Sequence, residues 1–141
     1  MYSRIDSDIW KTIEIVIRTY PENKRKMEEY ARDIAEARGN YGFSMGIQED
    51  YSKPQSYTEA KALRLASSEY YRQLKKEVEA VELSYNALTE TEKKIIRVRF
   101  WSRRKKVPYL KIENTGYSER QMKRIVCRMI ESVGRYIGKI E

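Results

Sequence analysis

A helical pattern of apolar residues near the C-terminus is the feature that most constrains the fold of this 141-residue chain. Apolar side chains recur there every three or four residues, which places them on one side of an α-helix. These positions are Met122, Ile125, Val126, Met129, Ile130, Val133, Ile137 and Ile140. Ser118 and Gln121 precede the stripe at the spacing of a capping box. The pattern therefore predicts a helix that begins after Ser118 and buries one face.

The opposite face of this predicted helix is basic. It carries Arg120, Lys123, Arg124, Arg128 and Arg135. Gly116, just before the helix, supplies the backbone freedom of a tight turn because it has no Cβ. A helix that buries one face and presents arginines from its first turns suits the major groove of DNA. We interpret the turn and this helix as the second half of a helix-turn-helix.

Basic residues are concentrated in the same part of the chain. Residues 88–141 contain 15 Lys+Arg and 6 Asp+Glu, a net charge of +9. The whole chain has 29 basic and 21 acidic residues, which leaves 14 and 15 for residues 1–87, a net charge of −1. An excess confined to one segment suggests a polyanionic partner, but a solvated basic face fits the charge distribution about equally well. The capped turn inside the same segment favours nucleic acid. Double-stranded DNA is the predicted partner.

The N-terminal residues predict two helices. Apolar residues recur at helical spacing over residues 5–20, and Pro21 then starts a second helix, because proline is tolerated in the first turn. That second helix is predicted to end near Arg38, with Gly39 as its stop. The two helices are expected to form an antiparallel pair.

A loop and a third helix follow. Residues 39–56 have no sustained period and are interpreted as a loop. Residues 56–88 predict a single helix of about 30 residues, or about 45 Å at 1.5 Å per residue. Its apolar face either packs within the chain or pairs with a second copy in a homodimer.

Residues 88–115 predict the first part of the DNA-binding module. Thr89 and Glu92 form a second capping-box pattern, at the start of a helix. Val107 and Pro108 open a short helix that runs to about Thr115. Four consecutive cations, Arg103–Lys106, lie between these two helices. This basic run is predicted to contact phosphate, which positions a protein without reading sequence. We therefore expect an all-α fold with an N-terminal helical hairpin and long central helix in residues 1–87, and a DNA-binding domain in residues 88–141.

The predicted DNA contacts have different roles. Arg120 and Arg124 begin the helix, where arginine can pair with guanine through two hydrogen bonds. Gln121 can pair with adenine, or it can serve only as the cap. Lys123 flanks these positions, and Arg128 is predicted to contact phosphate. The full predicted set is Arg103, Arg104, Lys105, Lys106, Ser118, Arg120, Gln121, Lys123, Arg124 and Arg128.

Composition disfavours several other kinds of site. The chain has no histidine and one cysteine, Cys127, so imidazole and thiolate zinc sites are disfavoured and no cofactor is predicted. Cys127 is expected to be an inert thiol rather than a redox switch. The carboxylates form no recognised catalytic or metal-binding pattern, so the chain is not expected to be an enzyme such as a nuclease. No apolar run approaches the ~20 residues that span a bilayer, and the expected location is the cytoplasm.

Residues 88–134 resemble region 4 of bacterial sigma factors. They share its order of Leu-Thr-Glu-Thr-Glu, Ile-Ile-Arg-Val-Arg-Phe, a basic loop, a short helix and Gly-Tyr-Ser-x-Arg-Gln-Met-x-Arg-Ile. Nearly the whole chain resembles the RinA-type phage late-gene activators and, in layout, the ArpU-type regulators. That resemblance rests on Ile17-Arg18-Thr19-Tyr20-Pro21, on a charged helix ending Arg32-Asp33-Ile34, and on the loop, long helix and sigma-like module that follow.

The resemblance implies a small phage- or prophage-encoded transcription regulator that activates packaging and structural genes in the cytoplasm of a bacterial host. Residues 1–87 would then mediate either self-association or contact with host RNA polymerase. Two alternatives stay open. One is the DNA-recognition small subunit of a phage terminase, which is also small, helical and basic but forms rings. The other is a sigma-like factor that itself joins RNA polymerase.

Overall fold

The computed structural model describes residues 5–45, 68–102 and 106–141, which form helices and turns without a strand. The predicted all-α class is confirmed. The helices are α1 (Ser7–Arg18), α2 (Tyr20–Met45), α3 (Glu69–Asn86), α4 (Glu90–Ile96) and α5 (Glu119–Tyr136). A π-helical turn, Arg97–Trp101, continues α4, and a 3-10 turn, Tyr109–Lys111, precedes α5. Of the helices in the described ranges, none is both long and apolar enough to cross a membrane.

The chain divides into two compact units. The first is formed by Met1–Pro21 together with Lys76–Glu141, and the second is Glu22–Lys75. The first unit thus takes residues from both predicted domains, 1–87 and 88–141. The physical reason is that α1 and the second half of α3 supply apolar side chains to the same core as α5.

The apolar face of α5 forms much of the core of the first unit. Six of the eight predicted stripe positions lie in α5 and are buried, as is Ile137 directly after it, and the eighth, Ile140, packs against the core. Ile13, Val16 and Ile17 of α1 contact the same cluster. Phe100, in the π-helical turn, is 1% exposed. The predicted inner faces of α1 and α5 are confirmed.

Gly134 lets α1 and the C-terminal residues approach α5 closely. A Cβ at this position would lie 2.7 Å from Cδ1 of Ile13 and 2.5 Å from Cδ1 of Ile140. Both distances are shorter than a normal carbon–carbon contact of about 3.5–4.0 Å. The missing side chain therefore makes room for the two isoleucines.

Trp101 connects three parts of the first unit. Its indole Nε1 donates a 2.7 Å hydrogen bond to the carbonyl oxygen of Ile17, in the last turn of α1. Carbonyls in the last turn of a helix lack a partner within that helix. The Trp101 ring also lies 5.3 Å from the rings of Tyr20 and Tyr85. The C-terminal end of α1 is thereby held against the π-helical turn and α3.

In the second unit two apolar side chains are buried, Ile34 of α2 and Leu74 of α3. The ring of Tyr30 lies 5.7 Å from that of Tyr70 and 5.9 Å from that of Tyr71. Aromatic pairs at such separations stabilise a packed interface. Within this unit α2 and α3 therefore pack against each other.

Two predicted helix boundaries were wrong. Helix α2 continues past Gly39 to Met45, because one glycine inside a helix costs only about 1 kcal/mol and does not by itself end it. Helix α3 begins at Glu69 rather than near Ser56, because Ser68 is not helical and its hydroxyl accepts a 3.3 Å hydrogen bond from the amide of Tyr71. The remainder of the predicted loop and the start of the predicted long helix, residues 46–67, lie outside the described residues. The antiparallel pairing of the first two helices stays a prediction.

We expect Gly134→Leu to destabilise the protein by about 1–3 kcal/mol, the usual cost of overpacking a core. The new side chain would enter the space that Ile13 and Ile140 fill. Arg135→Leu is the matched control, since it places the same side chain at the next position, which is exposed. Urea denaturation of both variants measures the difference. Equal stability of the two would show that the close approach at Gly134 does not matter.

Candidate nucleic-acid interface

The segment before α5 is less helical than the sequence suggests. The predicted short helix over residues 107–115 is wrong: only the 3-10 turn Tyr109–Lys111 forms. Ile112 is extended, and Asn114 and Gly116 have left-handed φ values of 61° and 77°. A right-handed helix cannot pass through such residues. The first helix of the predicted helix-turn-helix is thus replaced by a single turn.

Arg99 anchors this turn to the π-helical segment. Its carbonyl oxygen accepts a 3.0 Å hydrogen bond from the amide of Val107, and its Nη1 donates a 2.8 Å bond to the carbonyl of Val107. The guanidinium carbon lies 4.0 Å from the ring centroid of Tyr109, a cation–π contact. Val107 and Ile112 on either side are buried. The path of the chain into α5 is therefore fixed by Arg99 together with two apolar anchors.

The start of α5 is fixed by the predicted capping box. The hydroxyl of Ser118 accepts a 3.2 Å hydrogen bond from the amide of Gln121, and Oε1 of Gln121 accepts a 2.8 Å bond from the amide of Ser118. The capping role of both residues is confirmed. Pairing with adenine requires the oxygen and the nitrogen of a glutamine side chain together. Because the oxygen of Gln121 already serves the cap, the structure favours a structural role for this residue over base pairing.

The cations of α5 differ in whether they form an ion pair with a carboxylate. Arg120 and Arg124 are exposed, and neither side chain makes an ion pair or hydrogen bond within the described part of the chain. In contrast, Nζ of Lys123 lies 3.3 Å from Oε2 of Glu119. Arg120 and Arg124 are therefore the members of the predicted set on α5 whose charge is available to a ligand.

Arg128 is paired with a residue to which no sequence pattern connects it. Its Nη2 donates a 2.9 Å hydrogen bond to Oε2 of Glu92 at the start of α4. The other Glu92 oxygen accepts a 3.0 Å bond from the amide of Thr89, as the predicted capping box requires. This hydrogen bond from Thr89 is the largest influence on Glu92, and with Arg128 it holds the pKa of that carboxyl below its ordinary value of 4.5, although partial burial opposes them.

A groove of about 390 Å³ lies along this side of α5. The side chains of Arg124 and Arg128 line it together with the apolar side chain of Ile125. Its other lining residues are Glu92, Tyr117, Gln121, Cys127 and Glu131. The groove therefore places Arg124 next to the ion pair of Arg128 with Glu92.

The predicted phosphate-binding run is described only at its last residue. Arg103, Arg104 and Lys105 lie outside the described residues. Nζ of Lys106 lies 3.0 Å from Oε2 of Glu14 in α1, so this lysine is already paired within the protein. In the described ranges, no group of three or more cysteine, aspartate or glutamate side chains is placed to hold a metal ion.

Two residues that shape this surface were missed by sequence reasoning. Glu92 was predicted to cap α4, but its ion pair joins positions 36 residues apart, and no local pattern reports such a contact. Arg99 lies between Val98 and Phe100 and resembles any other cation of the basic segment. Its anchoring role becomes visible only when the chain folds back at Val107.

Comparison of the chain with known protein families, with curated proteins and with solved structures finds no match.

We expect Glu92→Gln to lower stability at neutral pH by about 1 kcal/mol or less, because the Arg128 side chain of the ion pair is largely exposed. A carboxyl with a lowered pKa in the folded state adds stability above its unfolded pKa and loses that contribution as the pH falls through the folded value. The difference from wild type should therefore shrink as the pH falls below 4.5. Urea denaturation between pH 3 and 7 measures it. A stability difference between wild type and Glu92→Gln that grows in acid would contradict a lowered pKa for Glu92.

Proposed function

We propose that this protein is a sequence-specific regulator of transcription that binds double-stranded DNA through α5. The observation that supports the proposal is a pair of exposed arginines at the start of a firmly anchored helix, which have no partner among the residues that the structure describes. Arg120 and Arg124 are four residues apart and therefore about 6 Å apart along the helix axis. The rest of the same helix is fixed by its buried face. The two guanidinium groups are thus presented from a rigid support.

Arginine suits base recognition because its planar group can bond to O6 and N7 of guanine together. The major groove of DNA is about 12 Å wide and accepts an α-helix. One face of α5 faces the core, so only its arginine-bearing face can approach a base pair. Base contacts carry the sequence information, whereas contacts to phosphate only position the protein.

Phosphate contacts are proposed for Ser118 and for the basic run. The hydroxyl of Ser118 is exposed next to the first amides of the helix, where anions are favoured. Arg103, Arg104 and Lys105 are proposed to contact the backbone, with Lys106 contributing only if its ion pair with Glu14 opens. The net charge of +9 over residues 88–141 supports this arrangement.

The direction of regulation rests on the resemblance to phage late-gene activators. On that basis we propose activation of phage packaging and structural genes, with the N-terminal residues contacting host RNA polymerase. A homodimer through residues 56–88 is also proposed, from the near-heptad spacing of apolar residues in that segment. Leu74, Val78 and Val81 are buried within the chain, so a dimer must use other residues of that segment.

The first experiment is retention of fragmented source-genome DNA by the purified protein at near-physiological salt, followed by sequencing. We expect one promoter-proximal segment to be enriched. Arg120→Ala/Arg124→Ala should remove the enrichment, at about 1–3 kcal/mol of discrimination for each base that is no longer recognised. The control is Arg25→Ala/Arg32→Ala, which removes the same charge from exposed positions of α2. Uniform retention of all fragments by the wild-type protein would contradict sequence-specific binding.

A second prediction concerns the basic run. Replacement of Arg103, Arg104 and Lys105 by alanine should weaken binding to every DNA sequence alike. The slope of log affinity against log salt should become shallower by about 0.9 for each phosphate that the variant no longer neutralises. Binding of one specific and one random duplex at several salt concentrations measures both effects. Weakening confined to the specific duplex would show that the run reads bases.

A further inference from the structure

We propose that Glu92 holds Arg128 in an ion pair inside the protein and so removes one phosphate-binding group from the DNA-binding surface. Arg128 then contacts DNA phosphate only when the charge of Glu92 is removed. The inference rests on the proposed function and makes Glu92 a residue that limits the affinity of this surface for any DNA.

Arg128 stands where a DNA contact is expected. It follows Arg120 and Arg124 at steps of four residues, which places all three on neighbouring positions of one helix face. Along the axis, Arg128 lies about 12 Å from Arg120. Its side chain is 61% exposed, so a phosphate can reach the guanidinium group. Position and exposure therefore suit a backbone contact.

Glu92 competes for that guanidinium group from a fixed position. Its side chain is only 14% exposed, and both of its oxygens are engaged, one by Arg128 and one by the amide of Thr89. The capping box holds the carboxylate at the start of α4, so it cannot follow Arg128 outward. A phosphate that takes Arg128 leaves this carboxylate without its cation and brings a second negative charge near it. Both effects oppose the transfer of Arg128 from Glu92 to a phosphate.

The second ion pair of α5, between Lys123 and Glu119, differs from that of Arg128 with Glu92. Lys123 is held by Glu119, which lies one turn before it on the same exposed helix face. That pair can rearrange easily, because both side chains are about half exposed, at 50% and 42%. The partner of Arg128 is instead largely buried and belongs to another helix. Of these two pairs, only that of Arg128 therefore acts as a fixed restraint.

The test is a double-mutant cycle on binding to a random-sequence duplex between 50 and 300 mM salt, with the full chain. The proteins are wild type, Glu92→Gln, Arg128→Ala and the double variant. Glutamine also satisfies the third position of a capping box, so Glu92→Gln keeps the cap while removing the charge. We expect this variant to bind roughly five- to tenfold more tightly near 0.1 M salt, with a salt slope steeper by about 0.9. Arg128→Ala and the double variant should keep the wild-type slope.

Glu131→Gln is the matched control. Glu131 lines the same groove, and in the part of the chain that the structure describes it makes no ion pair. The control therefore changes the net charge equally without releasing Arg128. A slope as steep as that of Glu92→Gln would overturn the inference, because general charge would then explain the effect. A thermal melt of each variant verifies that it is folded.

Three further outcomes are distinct. If Arg128→Ala alone makes the wild-type slope shallower, Arg128 already contacts phosphate and the restraint does not exist. If the wild-type protein binds no duplex at any of these salt concentrations, the proposed function fails together with the inference. Tight binding that Glu92→Gln leaves unchanged overturns the inference alone.

Discussion

The burial of one face of α5 is the interaction on which the rest of the first unit depends. Its apolar stripe meets Ile13 and Ile17 of α1 and the π-helical turn that continues α4. Side chains on the other face are thereby oriented by a core rather than by a loop. A rigid support of this kind keeps the entropy cost of binding low, because fewer side chains and backbone segments must be ordered. The same packing explains why Arg120 and Arg124 project from fixed backbone positions.

Patterns with a local cause were predictable from the sequence. The spacing of apolar residues in α1 and α5 reports the period of the helix, and the capping boxes at Thr89 and Ser118 report the unpaired amides of a first turn. Both depend on residues within a few positions of each other. The all-α class and the buried face of α5 follow from these local signals alone.

Features that depend on contacts between distant residues were not predictable. The ion pair between Glu92 and Arg128 and the bonds between Arg99 and Val107 require the chain to fold back on itself. The prediction of a short helix over residues 107–115 was wrong for a related reason. Its apolar residues suggested helical spacing, but Asn114 and Gly116 take left-handed conformations that end any helix. Charge patterns predicted candidate DNA contacts, but not which of these cations form ion pairs within the protein.

The contact of α1 with α5 also fixes the order in which the protein can fold during synthesis. Helix α1 is synthesised before α5, whose side chains complete the core of the first unit and which begins more than 100 residues after α1 ends. Until α5 has been made, Ile13 and Ile17 cannot pack against its apolar face. Closing so long a segment costs entropy that is recovered only when the two helices meet, so such contacts form slowly. The arginine-bearing surface is therefore assembled only after α5 itself has been made.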